Sequence, residues 1–120
     1  MSLSAYQSVR SLSEAPRVAE HRLMGQITGE MIVARDAGRH GVALVDTLSR
    51  NREMWNIFSI DCATRGNGLP DQLRAGIVSL ALWIDRFSSD VIAGREPIDD
   101  LIAVNRSIME GLASFGATDG

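Results

Sequence analysis

The stretch PDQLRAGIVSLALWIDRFSSDVI, residues 70–92, decides the fold class. Within it Leu73, Ile77, Leu80, Ile84, Phe87 and Val91 recur in alternating steps of four and three. That spacing puts all of them on one side of an α-helix, whereas a strand would scatter them over both faces. The start is marked by Pro70, because a proline in the first turn gives up a donor that has no partner there. Asp71 adds an acid beside the positive end of the helix dipole. A seam of this kind belongs to a helix packed nearly parallel or antiparallel to its neighbours. Val78 and Leu82 widen the stripe, which predicts that the helix sits between two others, and Gly94 closes it.

Working outward, the same logic divides the rest of the chain. Arg65-Gly66-Asn67-Gly68 is a flexible turn of residues that tolerate positive φ. Before it, Val45, Leu48, Trp55, Phe58 and Cys62 form one face of a helix predicted from about Val42 to Ala63. Gly38-Arg39-His40-Gly41 is the next break. It ends a helix that starts at Ser13 and Pro16, runs to about Ala37, and carries Val18, Leu23, Ile27, Met31 and Ala34 at helical steps. On the other side, Pro97 with Asp99 and Asp100 opens a last helix with the stripe Ile98, Leu101, Ile102, Asn105, Ile108, Met109 and Leu112. The tail from Ser114 is expected to fray. No alternating β-branched run bounded by hairpin turns occurs. The expectation is an all-α protein: one domain over residues 1–120, an antiparallel bundle of four long helices with a short N-terminal helix or arm. The arm, Ser4 to Leu12, is too short to hold a helix alone and must dock on something.

Composition narrows the function. Of the 120 residues, 45% are apolar, enough for a real core. The net charge of -3 provides no general basic field to gather a phosphate backbone, so no direct nucleic-acid partner is expected. All twelve basic residues are arginine, and their even spread argues for a genome's codon bias rather than a built anion surface. The single cysteine, Cys62, excludes an internal disulfide and favours a reducing compartment. The N-terminus lacks the basic and apolar regions of a signal peptide, and the strongly apolar run from Ile77 to Ile84 is too short to cross a bilayer. A soluble, cytoplasmic protein without membrane insertion is expected.

Catalytic patterns are missing. His21, His40 and Cys62 have no ligand spacing among them, so no metal is expected. Cys62 on an apolar seam reads as a small core residue. Gly66-Asn67-Gly68 is too poor in glycine for a phosphate loop and follows a helix rather than a strand. Asp61, Asp85 and Asp90 on bundle faces read as solvated or salt-bridged. The chain is expected to be no enzyme and to need no cofactor.

Packing and docking devices stand out instead. Gly25 and Gly29 lie four apart inside a helix, where each costs about 1 kcal/mol relative to alanine, which suggests a close approach by a neighbouring helix or a partner. Asn105 interrupts an apolar stripe, either as a buried amide that fixes register or as a donor lining a groove. Trp83 lies one residue off the seam of Leu80 and Ile84; like the other aromatics it reads first as core packing, and otherwise as facing a second cleft or anchoring an interface.

In this arrangement the sequence resembles the FlaF family of flagellar biosynthesis proteins. The resemblance rests on an ordered set covering nearly the whole chain. It comprises Ala5-Tyr6-Gln7, Ser13-Glu14-Ala15-Pro16-Arg17, Glu20-His21-Arg22-Leu23, Trp55-Asn56 with Asp61-Cys62, and Asn67-Gly68-Leu69-Pro70. It continues with Leu73-Arg74-Ala75, Ile77-Val78-Ser79-Leu80-Ala81-Leu82-Trp83 and Asn105-Arg106-Ser107-Ile108-Met109-Glu110-Gly111-Leu112. The resemblance implies a cytoplasmic factor for flagellin production and filament assembly, with flagellin and the regulator FlbT as partners. It implies a flagellin secretion chaperone; the alternative is a regulatory adaptor acting with FlbT on translation of flagellin mRNA. Tyr6, Leu23, Ile27, Trp55, Phe58, Trp83 and Asn105 are the candidate partner-binding residues. The arm around Tyr6 is expected to cover the groove when it is empty.

Overall fold

The computed structural model describes the backbone of residues 16–65 and 70–119 and the side chains of residues 21–63 and 70–111. Its helices are α1 (Pro16–Asp36), α2 (Val45–Arg65), α3 (Asp71–Ile92) and α4 (Asp99–Asp119), with a 3-10 turn, Gly41–Leu44, leading into α2. No strand occurs among the described residues. α1 packs on α2 and on α4, and α2 packs on α3. The helices thus form a ring in chain order, as an up-and-down bundle with short connections must. α3 and α4 close that ring and, of its four adjacent pairs, touch each other least.

Two glycines make the reversals possible. At the end of α1 the N–H groups of Gly38 and Arg39 donate to the carbonyls of Arg35 and Ala34, both at 3.0 Å. After α3 the N–H groups of Gly94 and Arg95 donate to Val91 and Asp90 at 3.0 and 2.8 Å. Both are Schellman closures, which satisfy the last carbonyls by putting one residue in the left-handed region. Gly38 at φ 69° and Gly94 at φ 79° take that role without a Cβ penalty.

The core is continuous along all four helices and centres on Trp55, Phe58, Ile27, Met31, Ile84 and Leu101, each 2% exposed or less. The stripes differ from the sequence expectation in instructive ways. On α3 the buried line is Ile77, Ala81, Ile84, Ser88 and Val91. Leu80 and Phe87 are half-buried on its flank, and Leu73 is 37% exposed. Leu82 does not widen the buried face, being 64% exposed. Its neighbour Ala81 is the inward residue, because a small side chain lets α3 approach the core closely. Val42 lies in the 3-10 turn rather than in α2 and is 87% exposed. The last helix continues to Asp119, past the expected fraying point.

Among the described residues no neighbouring backbone comes within 4 Å of a Cβ placed on either glycine of the α1 pair. A Cβ built on Gly25 would meet the Met109 sulfur at 3.8 Å, an ordinary contact, and one on Gly29 would meet nothing within 4 Å. Gly29 is on the exposed side of α1, so no helix of the bundle requires it. The chain has no helix among its described residues long and apolar enough to cross a membrane.

Candidate partner-binding site

Asn105 is the polar centre of the bundle. Its Oδ1 accepts the indole N–H of Trp55 at 2.8 Å. Its Nδ2 group donates to Oδ1 of Asn51 at 2.9 Å and to Oγ1 of Thr28 at 3.1 Å. Thr28 in turn donates to the carbonyl of Met24 at 2.6 Å. The four side chains come from α1, α2 and α4 and are 0–3% exposed. Both amide hydrogens of Asn105 are spent inside, so it cannot also donate to a guest in a groove. Of the two readings open in the sequence, the buried register-fixing amide is the one that its geometry supports. Nδ2 of Asn51 is buried without a hydrogen-bond partner, because Asn51 must turn its oxygen toward the Asn105 donor.

Charged contacts stitch the two seams on either side of α2. Arg50 on α2 pairs with Glu30 on α1. Arg52 on α2 reaches the backbone carbonyl of Asp85 through Nε at 3.2 Å, its carboxylate at 3.3 Å, and the Ser89 hydroxyl, all on α3. Among the described residues no ion pair or hydrogen bond links α3 to α4.

These contacts tell which flank of each helix is free. Asp85 and Ser89 mark the flank of α3 that faces α2. Leu80, Trp83 and Phe87, spaced three and four apart, lie on the opposite flank. On α4, Met109 approaches Gly25 of α1, and Ile102, one heptad earlier, shares that flank. Val104 and Ile108 lie on the other side of Asn105, toward α3. All five flank residues, Leu80, Trp83, Phe87, Val104 and Ile108, are half-buried and packed against the core. The Trp83 and Phe87 rings are stacked, with centroids 4.5 Å apart and an interplanar angle of 23°. Among the described residues the α3–α4 seam is therefore lined by half-buried apolar side chains, with the stacked aromatic pair on its α3 side.

The candidate residues from the sequence do not form one surface. Ile27, Trp55, Phe58 and Asn105 are enclosed in the core, at 2% exposure or less. Trp55 packs edge-on against Phe58, ring centroids 5.7 Å apart. A partner on the outside of the bundle does not touch these four, and their part in any site is support from beneath. Leu23 is 39% exposed, but it lies one heptad before Glu30 and so faces the α1–α2 side. Of the six that are described, Trp83 alone stands on the α3–α4 seam. Tyr6 lies outside the described residues. Sequence reasoning missed Thr28 and Asn51, and it missed Val104 as part of that seam. The signal for Asn51 was present: three residues after Leu48 and four before Trp55, it is a polar residue on an apolar stripe.

A second apolar set, Ile57, Ile60 and Leu82, is 58–64% exposed on the outer faces of α2 and α3. Among the described residues no group of three His, Cys, Asp or Glu side chains could hold a metal ion. Cys62 is fully buried.

No curated protein and no solved structure matches the chain. The profile of the family described as flagellar protein FlaF matches residues 2–112, which takes in α1, α2, α3 and the first two-thirds of α4. The chain belongs to the FlaF family of flagellar proteins.

Proposed function

We propose that this chain binds flagellin as a cytoplasmic secretion and assembly chaperone and helps regulate flagellin synthesis. Family membership gives the flagellar setting. The observation that carries the binding reading is the half-buried Trp83–Phe87 stack on the α4 side of α3, with Val104 and Ile108 on the α3 side of α4, at the sparsest contact between helices adjacent in the ring. A bundle completes each seam by packing helix on helix. A seam left half-covered suits a visiting helix, which can lay its apolar face between the two walls. Flagellin's terminal segments are amphipathic helix-formers that stay disordered until they assemble. Ordering such a segment costs several kcal/mol, so binding is of moderate affinity and release at export is feasible.

The exposed Ile57, Ile60 and Leu82 favour a second reading, in which the chain is an adaptor that acts through FlbT on flagellin mRNA translation. Copurification with flagellin and, separately, with FlbT distinguishes the two. The chaperone reading expects flagellin to be retained and Trp83→Ala to weaken its retention. Retention of FlbT alone supports the adaptor, and retention of neither contradicts both.

A further inference from the structure

Half-covered apolar flanks on two adjacent helices should close on each other, since doing so removes Trp83, Phe87, Val104 and Ile108 from water. Something must hold α4 back. Every described polar bond of α4's core face runs to α1 and α2: Asn105 to Thr28, to Asn51 and to Trp55. None runs to α3. Sliding α4 toward α3 would pull the carboxamide away from three buried partners at once. The indole N–H of Trp55 has no other described acceptor, and Asn51 already has one unpaired donor. A buried group stripped of its partner is costly, and these losses would fall together.

We infer that Asn105 is a positioning residue that pins α4 on α1 and α2 and so keeps the α3–α4 furrow open for its guest. The inference deepens the proposed function, since it assigns to a residue out of the guest's reach the width of the site that the guest enters. It also accounts for the choice of asparagine at a position where leucine would fit the stripe. An apolar residue there would allow α4 to settle wherever most area is buried, whereas an amide with three fixed partners permits one position only.

The test needs a readout that does not pass through flagellin. Trp55→Phe leaves Trp83 as the only tryptophan and keeps the bonds of Asn105 to Thr28 and Asn51, so acrylamide quenching then reports on the furrow wall alone with two of the three pinning bonds in place. Because Asn105→Leu by itself strands the Asn51 amide, the informative variant makes the whole cluster apolar, with Asn105→Leu, Asn51→Leu and Thr28→Val in the Trp55→Phe background. With no polar group left unpaired, this variant should fold with a melting temperature at or above that of the Trp55→Phe parent. Trp83 quenching should fall at least twofold as α4 closes on α3, and flagellin affinity should fall at least tenfold. Unchanged Trp83 quenching in the folded variant overturns the inference, whatever flagellin does. Reduced quenching supports it; if flagellin affinity is then unchanged, the pin stands and the furrow is not where flagellin binds. A variant that does not fold, with every polar partner removed, also overturns it, because the cluster would then be needed for folding itself.

Discussion

The indole N–H of Trp55 on α2 meets Oδ1 of Asn105 on α4 at 2.8 Å, across 50 residues of sequence and in a site closed to water. Trp55 is the largest side chain of the core, and this bond sets its rotation. The same amide fixes the heights of α1 and α4 through Thr28. One carboxamide thus ties three helices into a single register.

Breaking that centre is expected to be expensive. Asn105→Leu should destabilise the protein by about 2–4 kcal/mol, as it strands the Trp55 donor and the Asn51 amide. Asn51→Leu should cost less, within about 1 kcal/mol, since it removes one unpaired donor along with one bond. Urea unfolding of both variants checks the order. Equal costs would mean that the cluster does not act through Asn105.

Burial separates two neighbouring residues of α3. Ile84, with no exposure, should lose about 2–5 kcal/mol on substitution by alanine. Leu82, at 64% exposure, should change by no more than about 0.5 kcal/mol. Thermal unfolding of Ile84→Ala and Leu82→Ala reads the difference.

Glycine substitutions should divide by backbone geometry. Gly94→Ala forces a Cβ into φ 79° and should cost about 1–2 kcal/mol. Gly29→Ala enters open space inside a helix and should stabilise by up to about 1 kcal/mol. If Gly29→Ala keeps the fold but weakens binding of a flagellar partner, that glycine is needed for the partner's approach. Denaturant midpoints and flagellin binding, measured on the same samples, give both answers.

Furrow and flank should also separate. Trp83→Ala should lose about 1–2 kcal/mol of stability, reflecting its half-buried packing on Phe87, and should weaken flagellin binding at least tenfold. Leu23→Ser, on the α1–α2 side, should leave binding within twofold of the parent. Isothermal titration of each variant with flagellin monomer measures both.

Much of this architecture is legible in the sequence, for physical reasons that particular residues display. The stripe from Ile77 to Val91, the Pro70 start and the Gly38 and Gly94 stops are local, and local rules place the end of α1 and both ends of α3 within a residue or two. The deviations have one source. Periodicity finds the apolar side of a helix but does not say which edge of it a neighbour covers, so Leu82 was expected inward and Ala81 was passed over. The candidate site was less legible still. Trp55, Phe58 and Ile27 carry the same large apolar character as a docking residue, and only packing shows them sealed. The half-buried position of Trp83 at the margin of the core is legible because its offset from the seam is itself a local feature. The bonds of Asn105 to Thr28 and Asn51 join residues 77 and 54 positions apart, and no rule of spacing along one helix can propose them.

The central claim is that flagellin enters the seam between α3 and α4, and 19F NMR tests it directly. The chain is labelled with 5-fluorotryptophan, which leaves flagellin silent, and flagellin monomer is titrated in. Large saturable shift changes at Trp83, with Trp55 nearly unmoved in its closed core, are the expected result. Flagellin binding, measured in parallel, with the Trp83 resonance unchanged would contradict it.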